Sequence, residues 1–178
     1  MKLTIRKEEE RDFQKVFQLT EEAFRDMEHS DHREHFLVEK LRRSDTFIPE
    51  LSLVAEDENG GIAGHILFTK ITIENGSESY ESLALAPVSV KPEFQNMGIG
   101  GALITFGHTV AKELGYHSAI LIGHQNYYPK FGYEKTSNFG ISFPFEIPKE
   151  NGMAIELIKD GLKNVKGVVK YPQEFGID

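Results

Sequence analysis

Apolar and polar residues alternate at the start of the chain. Leu3 and Ile5 in "KLTIRK" predict a short strand. The period then changes. In "RDFQKVFQLTEEAFRDM", Phe13, Val16, Phe17, Thr20, Ala23 and Phe24 fall on one helical face, with Asp12 near the start. "REHFLVEKLRR" predicts a second short helix, and polar "SDTFIPE" returns to loop.

Extended patterns follow. "LSLVAEDENGGIAGHILFTKITI" reads as a hairpin, its turn in Glu58 to Gly61 because Asn-Gly supplies positive φ. A second turn lies at Asn75-Gly76. Ser82 to Val90, "SLALAPVSV", reads as a buried central strand. Pro87 cannot donate to a ladder, so it marks a bulge or a local splay. Beyond a glycine-rich stretch, Ile99, Ala102, Leu103, Phe106, Val110 and Leu114 step at helical spacing, and Gly115 stops the helix. Ser118 to Gly123 is a short buried strand. Strand, turn, helix and strand make one βαβ unit, parallel and right-handed by the rule for such crossovers. Met153 to Ile158 is a late strand, and the tail with Val168 and Val169 forms a last strand or an arm.

Composition narrows the choice. The chain has 178 residues and a formal net charge of −8, which argues against nucleic acid or an anionic membrane as partner. Cationic substrates such as amines are compatible with it. Cysteine is absent, so disulfides, thiolate metal sites and cysteine nucleophiles are excluded together. "MKLTIRKEEERDF" has no apolar signal-peptide core, and no window reaches the ~20 apolar residues of a membrane span. The expectation is a cytoplasmic protein of one domain, residues 1–178, with a C-terminal extension from about residue 159.

Gly98, Gly100 and Gly101 carry the first chemistry. Glycine costs roughly 1 kcal/mol relative to alanine inside a helix. At a strand-to-helix turn it lets backbone N–H groups form a concave anion site without a Cβ in the way. A tight turn with close helix–strand packing is the plain alternative. A P-loop is excluded, since Ala102 and Leu103 follow Gly101 where Lys and Ser/Thr are required. A dinucleotide fingerprint is excluded because position 103 is leucine.

The longer stretch Val88 to Gly101 reads V-x-V-x-P-x-x-Q-x-x-G-x-G-G. It resembles the acetyl-CoA-binding motif of the GNAT superfamily of N-acetyltransferases. "YYPKFGY", Tyr127 to Tyr133, is similar to a second segment of that family. The resemblance covers roughly residues 2 to 158, and "GVVKYPQEF" in the tail resembles the YhbS-like subgroup. It implies an α/β (α+β) fold: a mixed, mostly antiparallel central sheet with a splayed parallel βαβ CoA-binding unit, flanked by helices. It implies that Gln95, Asn96, Met97, Gly98, Ile99, Gly100, Gly101 and Ala102 hold the CoA pyrophosphate, largely through N–H groups from Met97 to Ala102. It implies that Val88, Ser89 and Val90 pair with the pantetheine arm, and that Asn126 lies near that arm. A helix N-cap is the plain alternative for Asn126.

The chemistry implied is transfer of an acetyl group from acetyl-CoA to a primary amine of a small molecule, peptide or protein. A non-catalytic acyl-CoA-binding regulatory module is the alternative. Backbone N–H groups near Val88 to Val90 could serve the oxyanion, and Tyr128 could protonate the departing thiolate. Tyr128 could instead be an aromatic wall or a structural hydrogen bond. With no cysteine, direct transfer in a ternary complex is the simpler route. Glu78, Glu81 and His65 lie near the β region as candidate bases, and a water chain would also serve. His29, His32 and His35 share a spacing of three; substrate contact or a solvated segment is expected there, and no metal. Oligomeric state stays open, a homodimer through the late strands or tail included.

Overall fold

The computed structural model describes residues 1–177. β1 (Leu3–Lys7) leads into α1 (Phe13–Phe24) and α2 (Glu34–Arg42). Three long strands follow: β2 (Phe47–Asp57), β3 (Ile62–Asn75) and β4 (Glu78–Val90). Then come α3 (Ile99–Glu113), β5 (Ser118–Ile122), β6 (Glu134–Lys135), β7 (Ile141–Ser142), β8 (Gly152–Glu156) and β9 (Gly167–Lys170). The hydrogen-bonded order is β1-β2-β3-β4-β5-β8-β6, with β9 pairing β3 and β7. Pairs β1–β2, β3–β9, β5–β8 and β6–β8 are antiparallel. β4 and β5 run parallel, registered at Ala84↔Ile120, so α3 is the crossover of a βαβ unit. This is the mixed, mostly antiparallel sheet that the family resemblance implies.

The chain divides into two compact units. The first is Met1–Phe68 with Ala86–Val110; the second is Thr69–Leu85 with Ala111 onward. In the first, Val16, Leu19, Val38, Leu41, Leu51 and Ile66 are core residues. The β2–β3 turn closes with Asp57 N–H to the Gly61 carbonyl at 2.8 Å. Asp57 Oδ1 also accepts from the N–H groups of Asn59 and Gly61. Gly60 takes the positive φ of this turn, 80°. "SDTFIPE" is not wholly loop: β2 starts inside it, at Phe47. Asp12 does not cap α1 with its side chain. Its carboxylate accepts from the Glu9 N–H and from Arg6, at 2.8 and 2.7 Å, closing the turn before the helix.

The inner face of α3 lies one step round from the one periodicity suggests. Ile99, Leu103, Ile104 and Ala111 are buried, whereas Phe106 and Leu114 are 40% and 44% exposed. The reason is Gly107. A Cβ there would stand 2.3 Å from Phe68 Cε2, so the Phe68 ring occupies the space a side chain would take. A large ring on β3 fills a gap on α3, which a single-helix pattern does not reveal.

The second unit packs Ile71, Ile73, Ala84, Ile120, Ile141, Ala154, Leu162 and Val169 into one core. Within the tail, Gly167–Lys170 is a strand. β9 pairs with β3 from Thr72↔Lys170 to Glu74↔Val168 and buries Val169. β4 passes through both units and contains a cis Ala86–Pro87 peptide.

Candidate active site

In the first unit, the end of β4 is set by β3. Lys91 N–H donates to the Ala63 carbonyl at 2.9 Å. Backbone groups alternate edges along a strand, so those of Ser89 and Lys91 face β3 and those of Val88 and Val90 face the opposite edge. Ser89 is buried, and its hydroxyl reaches Thr20 Oγ1 at 3.4 Å. Val88 and Val90 stay half-buried. Gly64 makes this packing tight. A Cβ there would lie 2.9 Å from Leu103, 3.1 Å from Ile99 and 3.2 Å from the Ser89 carbonyl. β3, β4 and the first turns of α3 thus meet at one missing side chain. An isolated glycine in the strand pattern "GIAGHI" is the signal that could have found it.

The chain then turns through Pro92–Phe94 into the glycines. Gln95 Nε2 donates to the Val90 carbonyl at 3.3 Å, tying the turn to the strand end. Asn96 and Gly98 take left-handed backbone, φ 64° and 83°. A Cβ at Gly98 would meet nothing within 4 Å, so glycine serves conformation there, not space. Ala102 N–H donates to the Gly98 carbonyl at 3.0 Å, the opening bond of α3. That engages one donor of the Met97 to Ala102 set. Ile99, Gly100 and Gly101 occupy the first turn, whose N–H groups have no partner within the helix. Their donors point along the positive end of a helix of 15 residues. Gly100 and Gly101 are half-buried and offer no Cβ. The residues present fit a pyrophosphate.

Tyr128 and Asn126 belong to the second unit. Tyr128 opens a short 3-10 turn, Tyr128–Phe131, that follows β5. The Tyr127 and Tyr133 rings meet it edge-on at centroid distances of 5.0 and 5.9 Å. Burial, with Tyr127 alongside, pushes the Tyr128 phenol up to about 12. It therefore stays protonated at any working pH. Asn126 is exposed; its backbone N–H meets His124 Nδ1 at 3.3 Å, and no side-chain cap precedes the turn.

The other candidates separate. His65 is fully buried in the first unit, in a network that sequence reading did not find. Arg42 reaches both Glu8 oxygens at 3.1 and 2.6 Å. Ser52 Oγ donates to Glu8 Oε1 at 2.8 Å and lies 3.0 Å from His65 Nε2. Since the hydroxyl proton goes to Glu8, His65 Nε2–H donates to Ser52, and Nδ1 is left buried without a partner. Burial pushes His65 down to about 4, so it is a sealed neutral side chain and no reachable base. Glu78 and Glu81 are exposed; Glu78 accepts from the Tyr80 hydroxyl, and Glu81 lies 3.9 Å from Lys70 Nζ. His35 packs between Phe17 and Phe36, while His32 Nδ1 lies 2.9 Å from the Phe24 carbonyl and His29 is exposed. Among the described residues no group of three His, Cys, Asp or Glu side chains could hold a metal ion.

Comparison with known proteins is consistent with this geometry. Residues 4–136 match the family described as "Acetyltransferase (GNAT) domain". The N-acetyltransferase YjhQ of Escherichia coli K12 is 38% identical over 120 residues, 67% of this chain and 66% of that relative, just under two thirds of its length. YhbS of the same organism is 27% identical over 139 residues, 78% of this chain and 81% of that one. A GNAT family acetyltransferase from Brucella melitensis, solved with acetyl-CoA, superposes at a TM-score of 0.78 with 32% identity and 98% of each chain covered. The YhbS structure with CoA superposes at 0.87 with 24% identity over 99% of this chain and 93% of that one, a likeness of fold. Among the described residues no helix is long and apolar enough to cross a membrane.

Proposed function

Because this chain belongs to the GNAT family of acetyltransferases, we propose that it moves the acetyl group of acetyl-CoA to a primary amine by direct attack within one ternary complex. The observation that carries the reading is the turn from Gln95 to Gly101. It combines a tie to Val90, a left-handed Gly98 and three first-turn N–H groups without side-chain bulk at two of them. The acetyl-CoA complex of the Brucella relative supports it. The tail and the likeness to YhbS support a place in the YhbS-like subgroup, and a cysteine-free acidic chain suits the cytoplasm.

When bound, acetyl-CoA supplies the acyl group and a thiolate leaving group. Gln95 to Gly101 hold its pyrophosphate. Val88 and Val90 pair with the pantetheine arm as an added strand, and their N–H groups polarise the thioester carbonyl. Ser89, turned inward to Thr20, keeps that strand in register. Asn126 contacts the arm from its exposed position. Tyr128 donates a hydrogen bond to the sulfur. Complete transfer from a phenol near 12 to a thiolate of ordinary pKa about 8.5 would run uphill by roughly 5 kcal/mol. The phenol therefore stabilises developing charge as a donor. The proton that sulfur finally keeps balances the one that nitrogen gives up. His65 is sealed away, so the ammonium proton leaves before attack to water or to an exposed carboxylate such as Glu81.

The test is CoA thiol release over a panel of polyamines, lysine and tripeptides with free N-termini. No protein thiol adds background. Turnover with at least one amine is expected. No release by protein that binds acetyl-CoA would contradict the enzyme reading and leave a regulatory acyl-CoA module.

A further inference from the structure

We propose that Gly123 is a positioning residue, and that the side chain it lacks is the space in which the Tyr128 ring sits. The inference rests on the reading of Tyr128 as the donor to sulfur. A Cβ built on Gly123 would lie 2.3 Å from Tyr128 Cε2, 2.9 Å from Cδ2 and 3.2 Å from Leu121 Cδ1. Backbone conformation does not ask for glycine here, since Gly123 is not among the positive-φ positions. Its N–H donates to the Asn151 carbonyl at 2.9 Å, so the main chain at the end of β5 is fixed. The demand for glycine comes chiefly from the ring, with Leu121 a lesser contact.

The ring has little room to retreat. Tyr127 meets it at 87° and Tyr133 at 78°, and Tyr133 is only 2% exposed. Tyr127 is itself covered by Lys130 Nζ, 4.2 Å from its ring centroid. Restoring ordinary contact to a new Cβ would move the phenol by about 1 Å, a displacement that can cost on the order of 100-fold in rate.

The experiment compares Gly123→Ala, Tyr128→Phe and the double variant. The amine that turns over in the panel above serves as acyl acceptor at a saturating concentration, with the uncatalysed rate subtracted. Gly123→Ala is expected to lower kcat about 10- to 100-fold and to change KM for acetyl-CoA less than about threefold. In the Tyr128→Phe background the same change should lower kcat less than about twofold. The Phe ring fills the same space, so the fall in Tm should be equal in both backgrounds. In protein without acetyl-CoA, carbon-13 ring signals of Tyr128 should move in Gly123→Ala while those of Tyr80 stay in place. A kcat loss that multiplies in the double variant overturns the inference, as does unchanged kcat or an unmoved Tyr128 signal. Unchanged kcat in Tyr128→Phe overturns the parent reading instead. Should Gly123→Ala fail to fold, Tyr127→Leu removes a ring packed against the same phenol. It is expected to lower kcat with KM held, and full activity in that variant would overturn the proposal.

Discussion

His65 has one ring nitrogen bound and one unbound, both out of water. Protonating it would bury a charge whose second N–H has no acceptor, close to Arg42. The folded value of about 4 lies below the ordinary 6.5. Between those values the unfolded chain binds more protons than the folded one, so stability rises with pH through that window and falls as pH drops from 6.5 to 4. The size is about 3 kcal/mol at most. Thermal melts of the native chain should therefore show a Tm that declines from pH 6.5 toward pH 4, and His65→Gln should flatten that slope. An equal slope in the variant would show that other groups set it. Neither His65 nor its partners were legible as a network. Glu8 follows the end of β1, and Arg42, Ser52 and His65 come from α2, β2 and β3, so only tertiary contact joins them.

At the scale of elements, the hydrophobic pattern located strands and helices well and their inner faces less well. The strand-to-helix turn was legible because glycine is costly at a helix start unless the backbone or a ligand needs it. The face of α3 was not, because Gly107 is an apolar gap filled from β3. Gly64 and Gly123 were missed for the same reason: each makes room for atoms that other segments or later residues bring. The Gly107–Phe68 fit carries its own prediction. Gly107→Ala should destabilise the protein by about 1–3 kcal/mol through overpacking. Phe68→Leu in that background should recover part of the loss. Denaturant unfolding of the single and double variants measures it, and additive losses would show that the two residues do not share one space.

For the molecule as a whole, the family was legible in the run from Val88 to Gly101 together with Tyr127 to Tyr133, and the family match over residues 4–136 agrees. The acceptor was not legible, because loops vary while the scaffold that carries them stays, and binding residues concentrate on loops in general. A net charge of −8 favours encounter with cationic amines but selects none of them. Whether the three glycines hold a pyrophosphate is decided by calorimetric titration with acetyl-CoA, with ATP and NAD as controls and Gly100→Glu as the variant. Acetyl-CoA is expected to bind with a dissociation constant of about 10 μM or tighter, both controls far more weakly, and acetyl-CoA binding is expected to be lost when a carboxylate stands at position 100. No heat at high protein concentration, or unchanged affinity in Gly100→Glu, would mean that these glycines only shape a tight turn.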